Sequence, residues 1–196
     1  WALHNTGQSG GTVAADIDAI EAWDISTGGL TPLGDTIVVA IVDGGMLLTH
    51  ADLIPNLWTN WGEIAGNGID DDDNGYIDDI HGWNAYSSNG SIPSDGHGTH
   101  VAGIVGAKGN NGSYVSGVNW NVKLMALGGS SGTTSIVLEA YGYILDQRAI
   151  YDSTGGASGA FVVATNSSFG VNNADCNSAT YSLWNDMYNA MGEYGI

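Results

Sequence analysis

Short apolar runs that alternate with helical patterns constrain the fold of this chain more than any other feature of its sequence. The first run, residues 36–43, is too short for a typical helix and is rich in β-branched side chains, which favours a buried parallel strand. Strands are predicted at 36–43, 122–127 and 160–170, and helices at 17–23, from 97 onward, at 135–151 and at 179–195. This alternation predicts an α/β fold, a doubly wound parallel sheet with helices on both faces.

Polar segments lie at the carboxyl ends of the predicted strands. Asp43 ends the first run, Gly128–Gly132 follows the second, and Asn166–Gly170 ends the third. In open α/β sheets, ligands bind at the carboxyl ends of the strands. We therefore expect the functional site where these three segments meet.

The charge of the chain excludes two classes of partner. Its 196 residues contain 3 Lys and Arg against 21 Asp and Glu, which gives a formal net charge of −18. Such a surface repels phosphate backbones and anionic lipids, so we expect no nucleic-acid and no membrane partner. The same surface attracts divalent cations and is common in proteins that work outside the cell. The length suits one domain.

The single cysteine, Cys176, cannot form a disulfide within this chain. Its thiol is either incidental or pairs with a segment beyond these residues. No basic and apolar signal segment opens the sequence, so a secreted protein would be present here in its mature form.

Asp43 and His97 are the candidate catalytic residues. Asp43 follows a mostly apolar strand, where burial of its carboxylate is costly unless the carboxylate has a partner. An imidazole is a natural partner, because the carboxylate can accept its Nδ1–H and stabilise the imidazolium. His97 begins the predicted helix and Gly98 leaves room beside its ring. Either residue alone is more often structural.

Taken together, these residues resemble a known family. IVDGG at 41–45 and the highly specific HGTHVAGI at 97–104 resemble the aspartate and histidine signatures of the subtilases, although Gly44 stands where that family usually has Ser or Thr. SSGTTS at 130–135 is similar to the family's substrate-clamping loop, and TNSSFG at 165–170 to the segment that lines its S1 pocket. The segments at 1–8 and 16–27 are also similar to the mature start of bacterial subtilases.

The resemblance implies a secreted serine endopeptidase with a subtilisin-like fold. In it, Asp43 orients His97, and His97 is the general base that deprotonates a serine; this division of roles is the family's own. Ser131, Gly132, Ser168, Phe169 and Gly170 would bind a peptide substrate as an added strand. His100 is expected to be buried and structural.

The family's nucleophile segment, Gly-Thr-Ser-Met-Ala, does not occur in this sequence. We therefore expect residues 1–196 to be the N-terminal part of one peptidase domain, incomplete at its C-terminal end. The serine would lie on a C-terminal remainder, and without it the chain should be inactive.

An acidic segment within an insertion near 66–82 resembles an EF-hand-like calcium loop. Ligands at positions 1, 3 and 5 would be Asp70, Asp72 and Asn74, and Tyr76 would give a carbonyl. Asp78 stands at position 9; position 12 is His81, so Asp79 or another residue must supply the bidentate carboxylate.

A second calcium site is implied by the resemblance alone. Asp52 and the loop at 109–115 match the family's strong calcium site. Asp52 and Asn111 would give side-chain oxygens, and Gly109, Ser113 and Val115 would give carbonyl oxygens.

Three other functions are weaker readings of the same residues. Gly128–Gly132 has the GxSxG pattern of α/β-hydrolases, but their histidine follows the serine, and the last histidine here is His100. A zinc enzyme using His97, His100 and Asp43 lacks the HExxH pattern. A non-catalytic calcium-binding module would explain the acidic loop but not HGTHVAG.

Overall fold

The computed structural model describes residues 2–175 and 177–196. Cys176 lies outside the described residues. The described chain contains four strands, β1 (Val38–Asp43), β2 (Gly82–Asn84), β3 (Lys123–Gly128) and β4 (Val162–Ser167), and four α-helices, α1 (Ala19–Trp23), α2 (Gly96–Gly106), α3 (Thr134–Thr154) and α4 (Ser182–Glu193). Single 3-10 turns occur at Ile54–Asn56 and Ala179–Tyr181.

The strands form one parallel sheet in the order β2-β3-β1-β4. β1 lies between β3 and β4, and its pairing with β3 runs without interruption from Val38–Lys123 to Asp43–Gly128. Both neighbouring strands therefore end beside Asp43, on the side of the sheet where the carboxyl ends of the strands lie. The predicted α/β fold with a parallel sheet is confirmed.

The two faces of the sheet carry separate cores. Ala40 and Val42 of β1 pack on one face with residues of α3 and α4, among them Tyr141 and Met191. Ile41, which points to the opposite face, packs with residues of α2. Because every face of β1 is covered, its apolar side chains form a continuous run, which is the pattern expected of a buried parallel strand.

One strand lies in a segment for which the sequence predicts neither a strand nor a helix. Residues 60–96 show no periodicity, yet β2 pairs with β3 at the edge of the sheet. β2 is only three residues long, Gly-Trp-Asn, so no apolar alternation marks it. A Cβ at Gly82 would lie 2.0 Å from the carbonyl oxygen of Ala126, so glycine is required for this close pairing.

The helix α2 is held at the sheet by its first turn. The side chain of Asp95 accepts a hydrogen bond from the N–H of Gly98 at 2.7 Å and so caps the helix. The hydroxyl oxygen of Thr99 accepts the N–H of Leu47 at 2.8 Å, which ties the helix to the chain after β1. None of the helices in the described residues is long and apolar enough to cross a bilayer.

Candidate active site

Asp43 and His97 meet at the carboxyl edge of the sheet. His97 Nδ1 lies 2.9 Å from both carboxylate oxygens of Asp43, within hydrogen-bond distance. The side chain of Asp43 is only 5% exposed, whereas that of His97 is 59% exposed. The carboxylate is thus held inside the fold while the imidazole faces solvent.

A glycine at position 98 allows this approach. A Cβ at Gly98 would lie 2.0 Å from the carbonyl oxygen of Gly45 and 3.0 Å from Cβ of Asp43, so any side chain at 98 would push α2 away from β1. Asp43 is fixed from its own strand as well, because Oδ1 accepts the N–H of Gly44 at 2.7 Å. Glycine at 98 is therefore a geometric requirement of the pair.

The charges around His97 favour its protonated form. The hydrogen bond that His97 donates to Asp43 and the negative charge of Asp43 raise the pKa of His97, and the charge of Asp95 acts in the same direction. Among the described residues, the hydrogen bonds of the imidazole go to Asp43 alone, all through Nδ1. Nε2 therefore remains available to a reacting group.

His100 differs from its expectation, because it is exposed rather than buried. The buried residues of α2 are Gly98, Val101, Ala102 and Gly106, which form one stripe along the helix. His100 lies off that stripe and points to solvent, so it does not serve the core.

The two segments expected to bind substrate lie on either side of Asp43. Gly128 of β3 pairs with Asp43, and Ser167 of β4 pairs with Val42. The chain after β3 is fastened to the strand end, because the N–H groups of Gly129 and Ser130 donate to the Asp43 carbonyl at 2.8 and 3.0 Å. The sheet thus brings both segments to the edge that carries His97.

The backbone of the residues expected to bind substrate is not used in the protein's own backbone hydrogen bonds, as far as the described residues show. In the described part of the chain, the N–H and C=O groups of the five expected substrate-binding residues make no backbone hydrogen bond; they are Ser131, Gly132, Ser168, Phe169 and Gly170. Gly132, Ser168 and Gly170 are exposed, and Phe169 packs partly against the core beneath. Unpaired, exposed backbone of this kind can pair with an extended peptide.

The acidic loop brings some of its predicted ligands together, whereas others are hydrogen-bonded elsewhere. Carboxylate oxygens of Glu63, Asp70 and Asp72 lie within 4.8 Å of one another. Glu63 lies outside the predicted loop, and no spacing signal in the sequence points to it. Asp70 and Asp72 both accept the N–H of Asn74, at 3.0 and 3.2 Å. Oxygen ligands in this arrangement suit Ca²⁺.

Asp78 has other partners in the structure. Its carboxylate accepts the N–H groups of Gly66, Asn67 and Gly68 at 2.7 to 3.1 Å. Tyr76 donates its hydroxyl to Asp146 at 2.6 Å, and its N–H donates to the side chain of Asn74.

Asp79 is fully buried at the centre of a polar network. Tyr143 donates to it at 2.7 Å, Asn60 at 2.8 Å, and Asn74 and Gln147 at 3.2 Å each. Burial raises the pKa of Asp79 to about 6, although the hydrogen bonds from Tyr143, Asn60 and Asn74 act in the opposite direction. Asp79 thus joins the loop to α3.

The region of the second predicted calcium site contains one buried carboxylate oxygen without a partner among the described residues. Asp52 is 1% exposed; its Oδ2 accepts the N–H of Val115 at 3.0 Å, but its Oδ1 has no partner among the described residues. A buried carboxylate oxygen without a donor is costly, and a cation would satisfy it. Asn111 accepts the N–H of Ser113 at 3.0 Å, and a Cβ at Gly109 would collide with the ring of Trp120. The residues around Asp52 therefore fit a bound cation.

Comparison with known proteins identifies the family of this chain. A family model described as the subtilase family, peptidase S8, matches residues 34–192. The chain belongs to the subtilase family. Subtilisin-like protease 1 of Plasmodium berghei (strain Anka) is 44% identical over 93 residues, which cover 46% of this chain and 16% of that protein. The cell wall-associated protease of Bacillus subtilis (strain 168) is 30% identical over 154 residues, covering 76% of this chain and 15% of that protein.

A solved structure shares the fold of this subtilase. The Aeromonas sobria serine protease, in a complex with the chaperone ORF2, superposes with a TM-score of 0.63 at 20% identity. The match covers 96% of this chain and 28% of that protease chain. The matched part of this chain thus spans about a sixth of the length of the two relatives compared above. It spans about a quarter of the length of the solved protease chain.

Proposed function

We propose that this chain supplies the aspartate and the histidine of an Asp-His-Ser triad in a secreted, calcium-dependent serine endopeptidase. The contact of His97 Nδ1 with both oxygens of Asp43, at 2.9 Å, carries the proposal. In it, residues 1–196 are the N-terminal part of one subtilisin-like peptidase domain, with a calcium-binding insertion near 66–82. The partner is the C-terminal remainder that carries the serine, and the substrate is a peptide or protein.

Each of the two residues has a defined task in this reaction. The buried carboxylate of Asp43 accepts Nδ1–H and thereby fixes the tautomer that leaves a lone pair on Nε2. His97 takes the proton of the attacking serine on Nε2 and later gives it to the leaving amine. The raised pKa of His97 supports this role, because it means that Asp43 stabilises the imidazolium that forms.

Substrate binding is supported by the unpaired backbone beside the histidine. Segments 131–132 and 168–170 leave the sheet on the two sides of Asp43. A peptide bound between them as an added strand would bring its scissile carbonyl to the edge that carries His97. Pairing of this kind uses the peptide backbone and therefore accepts many sequences.

Calcium binding is supported by two features of different kinds. One is the unpartnered, buried Oδ1 of Asp52, and the other is the grouping of Glu63, Asp70 and Asp72. A bound Ca²⁺ would neutralise these carboxylates and fix the loops that carry them. Secretion is supported by the net charge of −18 and by the name of the Bacillus subtilis relative, a cell wall-associated protease.

A fluorophosphonate probe, which reacts only with an activated serine, tests the triad. We expect the full-length gene product to be labelled on a serine outside residues 1–196, and the chain of 196 residues alone to remain unlabelled. His97→Ala in the full-length protein should slow labelling by at least about a thousandfold. His100→Ala is the matched control, since His100 is exposed on the same helix and should leave labelling unchanged.

Two outcomes would overturn the proposal. The first is labelling of a serine within residues 1–196 of the isolated chain. The second is equal labelling of the full-length protein with and without His97→Ala.

A further inference from the structure

A second carboxylate, that of Asp95, stands beside the Asp43–His97 pair. Asp95 caps α2 through Oδ1, but its Oδ2 accepts no hydrogen bond from a described residue. Ligand atoms of Asp43, Asp95 and His97 all lie within 4.8 Å of one another. We propose that these three residues form a binding site for a divalent transition-metal ion such as Zn²⁺, and that the bound ion blocks His97 as a base.

Gly44 makes room for Asp95. A Cβ at Gly44 would lie 2.8 Å from Cγ and 2.9 Å from Oδ2 of Asp95, both too close for a real contact. A Ser or Thr at this position, as is usual in the subtilases, would therefore displace the Asp95 carboxylate. In this chain the absence of a side chain at 44 allows a second negative charge to approach the end of β1.

The donor set selects the class of ion. Two carboxylates and one neutral imidazole carry two negative charges, which match a divalent cation. Ca²⁺ takes oxygen ligands, whereas an imidazole nitrogen combined with carboxylates favours Zn²⁺ and similar metals. The site also differs from a set of His97, His100 and Asp43, because the third donor is Asp95 and His100 is exposed.

The donor atoms of Asp43 and His97 are nearly as far apart as such an ion requires, and that of Asp95 lies within 4.8 Å of both. In a tetrahedral zinc site with bonds of about 2.0–2.2 Å, neighbouring donor atoms are about 3.3 Å apart. His97 Nδ1 and the Asp43 oxygens are 2.9 Å apart, so a small opening of this contact admits the ion. The 59% exposure of the His97 side chain leaves a path from solvent and space for a water ligand.

Binding would change the tautomer of His97. In the metal-free protein, Nδ1 carries the ring proton and donates it to Asp43, so Nε2 has the lone pair. An ion on Nδ1 requires that nitrogen's lone pair, so the Nδ1 proton leaves to solvent and the neutral ring takes one proton on Nε2. A protonated Nε2 cannot accept a proton from a serine. The block of activity rests on the proposed function, but ion binding does not.

Zinc titration of the protein, followed by long-range ¹H–¹⁵N spectra of the histidine rings, tests the site. Excess CaCl₂ should be present throughout to occupy oxygen-only sites. We expect His97 to change from the Nδ1–H to the Nε2–H tautomer as Zn²⁺ binds, with a dissociation constant measurable by calorimetry. His50, His81 and His100 provide internal references in the same spectra.

Asp95→Asn is the discriminating variant. Asn keeps a side-chain oxygen that can cap α2 at Gly98 N–H but lacks the negative charge. We expect it to weaken zinc binding at least tenfold. Asp152→Asn is the matched control, because Asp152 is an exposed carboxylate paired with Arg148 on α3 and should not alter the zinc affinity.

Several results would overturn the proposal. One is equal zinc affinity of the wild-type protein and Asp95→Asn, which would remove Asp95 from the site. Another is that zinc binds while His97 keeps its Nδ1–H tautomer. A third is that zinc does not bind and the His97 tautomer stays the same. If Asp95→Asn proves unfolded by circular dichroism, the tautomer of the wild-type protein decides alone.

Discussion

Replacement of Gly98 by alanine should damage both the stability of the protein and the contact between Asp43 and His97. The new Cβ would lie 2.0 Å from the carbonyl oxygen of Gly45 and 3.2 Å from Cγ of Asp43. The segment that carries this carbonyl packs closely on Pro93: a Cβ at Gly45 would lie 2.0 Å from the Pro93 carbonyl oxygen, and the N–H of Met46 donates to that oxygen at 2.8 Å. The first turn of α2 must therefore move away from the end of β1.

The magnitude follows from two opposing effects. Overpacking of a buried site typically costs about 1–3 kcal/mol, and a collision with backbone belongs at the upper end. Alanine in place of glycine within a helix gains at most about 1 kcal/mol. We therefore expect Gly98→Ala to lower the free energy of unfolding by about 2 kcal/mol.

Gly103→Ala provides the matched control in the same helix. A Cβ at Gly103 would meet no heavy atom within 4 Å, so only the helix-propensity effect should act. This variant should raise the free energy of unfolding by about 0.5–1 kcal/mol. Urea denaturation of the two variants measures the difference, and the pKa of His97 by NMR should fall in Gly98→Ala alone. Equal stability of the two variants would refute the reasoning.

The remaining predictions concern the histidine and calcium. Asp43→Asn should lower the pKa of His97 toward about 6.5, measured by NMR titration, because the hydrogen-bonded carboxylate that raises it is lost. The raised pKa of His97 stabilises the folded protein, and this stabilisation is fully present below the pKa that His97 has in the unfolded chain. It is lost as the pH rises through the pKa of His97 in the folded protein. If the free energy of unfolding depends on pH in the same way in Asp43→Asn as in the wild-type protein, this reasoning is contradicted. Calcium at a hundredfold excess over its dissociation constant should stabilise the protein by about 2.7 kcal/mol, seen as a raised thermal midpoint that a chelator reverses. Asp52→Asn should reduce that shift while Asp152→Asn should not, and a midpoint unaffected by chelator would contradict both calcium sites.

Much of the structure that carries Asp43 and His97 follows from local sequence. β1 and β3 are runs of six residues with mostly buried side chains, and α3 is a 21-residue helix. Runs of this length carry their own periodicity, so their type and order are readable without knowing what they pack against. Their parallel arrangement then places Asp43 at the carboxyl edge of the sheet.

Other features depend on which distant segments meet. β2 has three residues and no pattern, and it becomes a strand only by pairing with β3. Glu63 reaches Asp70 and Asp72 through the path of an irregular loop. His100 is predicted from the sequence to be buried, but the face that α2 turns to the sheet leaves it exposed.

The sequence by itself determined the parallel α/β architecture and the pairing of Asp43 with His97, since apolar periodicity is local and the HGTHVAG string is specific. Only the tertiary structure decided that Asp95 stands beside that pair and that Oδ1 of Asp52 is buried without a partner. The physical reason is steric and non-local. Remote parts of the chain decide whether there is room for a carboxylate and whether a donor lies within reach of its oxygens. Asp95, for example, has room beside the pair because Gly44 carries no side chain.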